Sequence, residues 1–180
     1  MRRSAVFIDR DGVIFYAVPR EGFVLPTASF CLEEAQLFDG LEEAFALLKN
    51  AGFLRILVTN QPDVVYGHLT QSEWEKIHAK ISHLDFDDQF ICFHGWNDEC
   101  ECKKPKPGML FSAQKKWNID FAASYMVGDT DNDAKAACAA GCRFVLVSAL
   151  YNVGVPADFH VSSLLEAARL IYHLEPRRAE

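Results

Sequence analysis

Asp9, Arg10, Asp11 and Gly12 follow directly on the apolar run Ala5–Ile8. Two carboxylates that close repel each other unless positive charge is brought to them. A pair placed at the end of a strand can serve as nucleophile and proton carrier, or can bind a hard cation. Further along, "VTNQ" sets Thr59, Asn60 and Gln61 behind a second apolar run, and "KKPKPG" offers Lys103 and Lys104. "VGDTDND" sets Asp129 and Asp133 behind another run. Acids from two strand ends can converge on one magnesium ion, which prefers oxygen ligands and retains several waters. That cation, together with Lys104, would supply the positive charge that the acids lack. Taken singly, each feature is ordinary: Asp-x-Asp after a strand is common turn chemistry, "GDTDND" is a fair helix cap, and a lysine is usually solvated. Their ordered recurrence at strand ends is harder to explain that way.

"CFHGWNDECEC" carries a second constellation. Cys92 and His94 form C-x-H, Cys100 and Cys102 form C-x-C, and five residues separate the pairs. Three thiolates and an imidazole complete a closed tetrahedral zinc site with no open position, so zinc here is expected to be structural. It would pin the loop that runs into Lys103 and Lys104. Cys138 and Cys142 flank Gly141 and read as small core residues, and Cys31 stands apart.

The elements that must position these groups alternate. Strands are expected at Ala5–Ile8, Leu54–Thr59, Gln89–Phe93, Ser124–Val127 and Arg143–Val147. Helices are expected at Leu41–Asn50, from the capping box "TQSE" to about Leu84, from "KPKPGM" to about Trp117, at Asp131–Ala140 and at Ser163–Tyr172. Residues 16–37, broken by Pro19, Gly22 and Pro26, read as a long loop with at most one short strand. Strands alternating with helices imply an α/β fold, a Rossmann-like parallel sheet covered by helices on both faces. Ligands then bind beyond the carboxyl ends of the strands, where the acids fall.

The chain has 180 residues, half of them hydrophobic, which suits one domain spanning 1–180. The net charge of −7 and the lack of a basic stripe argue against nucleic acid as a partner. No apolar run is long enough for a membrane span or a signal peptide, so a cytoplasmic protein with reduced cysteines is expected, acting as a monomer on a small molecule.

The order Asp9-x-Asp11-Gly12, Thr59, Lys104, Asp129 and Asp133 resembles the haloacid dehalogenase superfamily of phosphotransferases over about residues 5–150. The resemblance implies that Asp9 attacks phosphorus to form an aspartyl phosphate, and that Asp11 serves as general acid and then base. It implies that Thr59 and Lys104 hold phosphoryl oxygens. Magnesium would lie among Asp9, the Asp11 carbonyl, Asp129 and Asp133. The cysteine–histidine knuckle followed by a basic residue, Lys and Pro is similar to the group of sugar-phosphate phosphatases acting on heptose bisphosphates and to histidinol phosphatases. Residues 106–129 favour the heptose side, and the five-residue gap in the knuckle favours the histidinol side.

Tyr66, Lys103, Thr130 and Phe15 replace residues usual in the heptose enzymes. Asn60, Gln61 and Lys103 are expected to touch substrate, Lys103 at its remote phosphate. The room left between Asp11 and Phe38 and between Asn60 and Lys103 allows only a minimal cap. The expectation is a magnesium-dependent sugar-phosphate phosphatase with structural zinc. Histidinol-phosphate phosphatase is the alternative, and a catalytically silent binding module with this fold is an alternative of another class.

Overall fold

The computed structural model describes residues 2–175. Six parallel strands form one sheet: β1 (Ala5–Ile8), β2 (Leu54–Asn60), β3 (Asp88–Cys92), β4 (Tyr125–Gly128), β5 (Arg143–Val147) and β6 (Phe159–Val161). Their order is β3-β2-β1-β4-β5-β6. The helices are α1 (Leu41–Asn50), α2 (Gln71–Ala79), α3 (Gly108–Trp117), α4 (Asp131–Ala140) and α5 (Leu164–Leu174).

Both faces of the sheet are buried, which is why its strands are almost continuously apolar. Alternate side chains still separate by face. Val6, Ile8, Leu57, Val127 and Val145 join one core with residues of α1, α2 and α5. Ala5, Phe7, Ile56, Met126 and Phe144 join the other core with residues of α3 and α4. The chain leaves β1 toward β2 on one side and reaches β4 on the other. This reversal opens a crevice at the carboxyl end of β1, the usual ligand position in open parallel sheets. Residues 9–12 occupy it.

The expected elements are present with shifted ends. The helix expected to reach Leu84 stops at Ala79. Tighter turns follow, in which Ile81 donates to the His78 carbonyl and Leu84 to that of Ile81, each at 3.1 Å. These turns bring Ile81 and Leu84 into the core. β3 and β4 lie one residue from their expected ranges, and the last helix runs to Leu174. β6 was not expected: it has three residues, a polar His160 at its centre, and follows Pro156. Its pairing with β5 defines it. Between residues 16 and 37 only isolated bridges form, including Val18 to Thr27.

Candidate active site

β1 ends at Ile8, and Asp9 enters the crevice. Its Oδ1 accepts the Arg10 amide at 2.7 Å and meets Lys104 Nζ at 2.9 Å. Oδ2 has no hydrogen bond among the described residues. Lys104 arrives from the opposite side, on the loop that precedes α3. Its ammonium also donates to Asp133 Oδ1 at 2.6 Å and to the Val58 carbonyl at 2.9 Å. Asn60 fixes the lysine's main chain, donating to the Lys104 carbonyl at 2.9 Å and accepting its amide at 3.0 Å. Burial opposes the lysine's charge, but the Asp133 and Asp9 carboxylates outweigh it and raise its pKa. Burial likewise pushes the Asp9 carboxyl up to about 7, against the pull of Lys104 and with help from Asp133 and Asp11.

Asp129 and Asp133 follow β4. Asp133 completes the capping box of α4: its Oδ2 accepts the Thr130 amide at 3.0 Å and the Thr130 hydroxyl at 2.5 Å. Both of its oxygens are therefore engaged. Gly128 allows this close seat, since a Cβ there would lie 2.4 Å from Asp133 Cβ. Asp129 differs. Its Oδ2 accepts the Tyr151 hydroxyl at 2.6 Å, and Asn152 holds its main-chain carbonyl at 2.8 Å, while Oδ1 is buried without a partner. Burial, then the charges of Asp133 and Asp9, push the Asp129 carboxyl well above the usual range.

One oxygen each from Asp9, Asp129 and Asp133 lies within 4.8 Å of the other two. Asp9 and Asp133 share the single ammonium of Lys104, Asp129 lies beside them, and two carboxylate oxygens, Asp9 Oδ2 and Asp129 Oδ1, have no donor among the described residues. Such an all-oxygen cluster short of positive charge fits a hard divalent cation.

Asp11 is held differently. Arg10, wholly buried, donates to its carboxylate through Nε at 3.1 Å and Nη2 at 3.3 Å. Gln61 Nε2 donates to Asp11 Oδ2 at 2.7 Å and to Thr59 Oγ1 at 2.9 Å, and Gln61 Oε1 accepts from the Trp74 indole at 3.0 Å. The amide of Gln61, expected from the sequence to touch substrate, bonds Asp11, Thr59 and Trp74 within the protein, and Gln61 is buried behind the cleft lining. The cleft is lined by Asp9, Asp11, Thr59, Asn60, Lys104 and Asp129, and by residues of the 17–28 loop, Asp63, Thr130 and Asn132.

Lys103 stands outside that lining. Its ammonium donates to the His94 carbonyl at 3.1 Å and lies 4.7 Å from the centre of the exposed Trp96 ring. Sequence reasoning did not find Arg10, Tyr151 or Asn152 as partners of the acids. Arg10 carries the one legible signal, a charged residue between two acids directly behind a buried strand.

The four knuckle residues do converge. Cys92 Sγ lies 3.0 Å from Cys102 Sγ, 3.9 Å from Cys100 Sγ and 3.4 Å from His94 Nδ1, and His94 Nδ1 lies 3.2 Å from Cys102 Sγ. The edges of a tetrahedron with Zn–S ~2.3 Å and Zn–N ~2.0 Å are roughly 3.4–3.8 Å, so the cluster has the right size. Burial, then its sulfur neighbours, push the Cys102 thiol up to about 12. The Cys/His cluster could bind zinc.

The profile described as haloacid dehalogenase-like hydrolase matches residues 23–141. A protein of Yersinia pestis named D-glycero-beta-D-manno-heptose-1,7-bisphosphate 7-phosphatase is 35% identical, covering 93% of this chain and 94% of the relative. One of the same name from Vibrio cholerae is 38% identical over 78% of each. Among solved structures, D,D-heptose 1,7-bisphosphate phosphatase from B. bronchiseptica, with magnesium and phosphate bound, superposes with a TM-score of 0.79. It has 28% identity, covering 95% of this chain and 99% of that one. No described helix is long and apolar enough to cross a membrane.

Proposed function

Because the chain belongs to the haloacid dehalogenase-like hydrolase family, we propose that it is a single-domain phosphatase that removes the 7-phosphate of D-glycero-D-manno-heptose 1,7-bisphosphate. The observation that carries this reading is the buried cluster in which Asp9 and Asp133 share Lys104 while Asp129 beside them keeps Oδ1 unpartnered. Names and bound ligands of the relatives support the substrate and the metal.

Asp9 Oδ2 attacks phosphorus. The bond to the sugar oxygen breaks, and Asp11 gives that oxygen its proton. Asp11 then takes a proton from water, which attacks the aspartyl phosphate, releases inorganic phosphate and restores the Asp9 carboxylate. Arg10 and Gln61 hold Asp11 between these two transfers, because an acid that must act twice cannot leave its place. Lys104 and Thr59 bind phosphoryl oxygens, with Lys104 kept charged by Asp9 and Asp133. Asp9, Asp129, the Asp11 carbonyl and Asp133 are the residues that would hold magnesium, with Asp129 Oδ1 a direct ligand. Magnesium, when bound, neutralises charge between the carboxylate and the incoming phosphoryl group.

Cys92, His94, Cys100 and Cys102 would hold structural zinc. Their loop sets Lys104 in the site and Lys103 at the rim, where it can meet the phosphate that is not cleaved. Asn60 acts through the Lys104 main chain.

Turnover of heptose 1,7-bisphosphate and of histidinol phosphate, measured side by side with magnesium, tests the reading. A higher kcat/KM on histidinol phosphate would transfer the assignment to that substrate. Loss of nearly all turnover in Asp9→Asn, with the fold intact, is expected; substantial remaining activity would move the nucleophile elsewhere.

A further inference from the structure

One charged side chain lines the cleft without belonging to the reacting set. Asp63 lies just beyond β2, in a short 3-10 turn at Pro62–Val64. Its place is fixed twice by His68. The His68 amide donates to the Asp63 carbonyl at 2.9 Å, and His68 Nδ1 lies 2.9 Å from Asp63 Oδ1. The imidazole is clamped in turn. It stacks on Phe30 with ring centres 4.7 Å apart and meets Phe23 and Tyr66 edge-on at 5.9 Å each. These aromatic contacts tie the 62–68 segment to the 17–30 loop, the two walls of the cleft.

The chemistry of the cleft makes this carboxylate conspicuous. Lys104 is the only cation among the lining residues described, and its ammonium already touches Asp9, Asp133 and the Val58 carbonyl. A second phosphate placed beside Asp63 would meet a like charge. What a fixed carboxylate accepts well is a hydroxyl group. With Oδ1 taken by His68, Oδ2 remains as an acceptor, and no rotamer freedom is lost when ligand binds, because His68 has already ordered the side chain.

We propose that Asp63 is a specificity-determining residue that accepts the hydroxyl groups of a polyol chain attached to the reacting phosphate, with His68 as its positioning residue. The proposal rests on reading the cleft as the phosphatase site. It adds that selectivity comes from hydroxyl recognition next to the reacting phosphate. Any second phosphate is kept out of the cleft, at its rim.

Three probes separate the terms: sorbitol 6-phosphate, hexyl phosphate with the same chain length and no hydroxyls, and 6-aminohexyl phosphate. The readout is the ratio of kcat/KM for sorbitol 6-phosphate over hexyl phosphate, compared between wild type, Asp63→Asn and His68→Ala, with thermal unfolding as the check on fold. Wild type should prefer the polyol. Asp63→Asn should lower the ratio by about tenfold to a hundredfold, the loss of one charge-assisted hydrogen bond, mostly through KM for the polyol. His68→Ala should lower it in the same direction by less.

A merely structural Asp63 would slow both esters alike and leave the ratio unmoved, which overturns the proposal, as does a wild type without preference for the polyol. A preference that Asp63→Asn abolishes only for 6-aminohexyl phosphate also overturns it, in favour of ammonium recognition. A polyol preference lost in Asp63→Asn, in an enzyme that does not hydrolyse heptose 1,7-bisphosphate, would sustain the role of Asp63 and remove the heptose assignment alone.

Discussion

Replacing Lys104 by Met tests the electrostatic core of the site. Methionine keeps most of the lysine stem, so packing is nearly conserved while the ammonium is removed. The ammonium has three partners in the native protein: Asp133 at 2.6 Å, Asp9 at 2.9 Å and the Val58 carbonyl at 2.9 Å. Removing one partner of a buried ion pair leaves the other uncompensated, which typically costs about 3–5 kcal/mol. Here two acids lose that partner at once, beside a third, Asp129, whose oxygen lies within 4.8 Å of theirs.

The cost must depend on pH, because protonation is the carboxylates' escape. Without Lys104 the folded-state pKa of Asp9, already raised by burial, rises further above its unfolded value. A group whose folded pKa is raised binds more protons folded than unfolded, so stability falls as pH rises through that interval. The variant should therefore lose about 3–5 kcal/mol at pH 8 in chelator and distinctly less at pH 5. Excess magnesium should restore part of the loss at pH 8, and kcat should stay about 10²–10³ below wild type even with metal, as when one donor to a transition-state anion is removed. Urea unfolding at the two pH values, with and without magnesium, measures this. Equal losses at pH 5 and pH 8, or a loss under about 1 kcal/mol at pH 8, would refute the shared-cation account.

The unmodified protein should show the same linkage. With Asp9 held at about 7, metal-free stability should fall between about pH 4 and pH 7 by up to ~4 kcal/mol. Magnesium should then raise the unfolding temperature more at pH 8 than at pH 5, and a magnesium shift independent of pH would count against it. Gly12→Ala should weaken magnesium binding sharply, because at φ +80° the new Cβ would stand 2.0 Å from Asp129 Oδ2. Titration calorimetry that finds wild-type affinity in a folded Gly12→Ala protein would show that Asp129 is no ligand. Cys100→Ser should reduce zinc content and thermal stability together, since metal binding at such a knuckle is coupled to local folding. Purified protein with no zinc and freely titrating thiols at Cys92, Cys100 and Cys102 would rule zinc out. Lys103→Ala should raise KM for a bisphosphate with little change for monophosphates, and an equal loss on every ester would place Lys103 in the catalytic set.

Much of this protein is local in origin and therefore legible in the chain. The strand Ala5–Ile8, the helices Leu41–Asn50 and Asp131–Ala140 and the capping box at Thr70 depend on periodicity and on residues three or four apart. The order Asp9, Asp11, Thr59, Lys104, Asp129 and Asp133 could be read because each group stands at or just behind the end of a strand, or at or just before the start of a helix. The knuckle ligands lie within eleven residues of one another, so their convergence needs little of the fold.

The pairings that govern the acids are not local. Lys104 meets Asp133 across 29 residues, and Tyr151 reaches Asp129 across 22. The Trp74–Gln61–Asp11 chain joins α2, the end of β2 and the end of β1. Hydrogen bonds of this kind exist only once the sheet order and helix packing have brought separate segments together, and no spacing announces them. The same holds for β6, which is a strand only because β5 offers its edge, and for Gln61 and Asp63. Two residues apart in the chain, the first is buried in the service of Asp11 and the second is turned to the cleft. Residue types and their order stated which chemistry was available; packing decided which charge faces which.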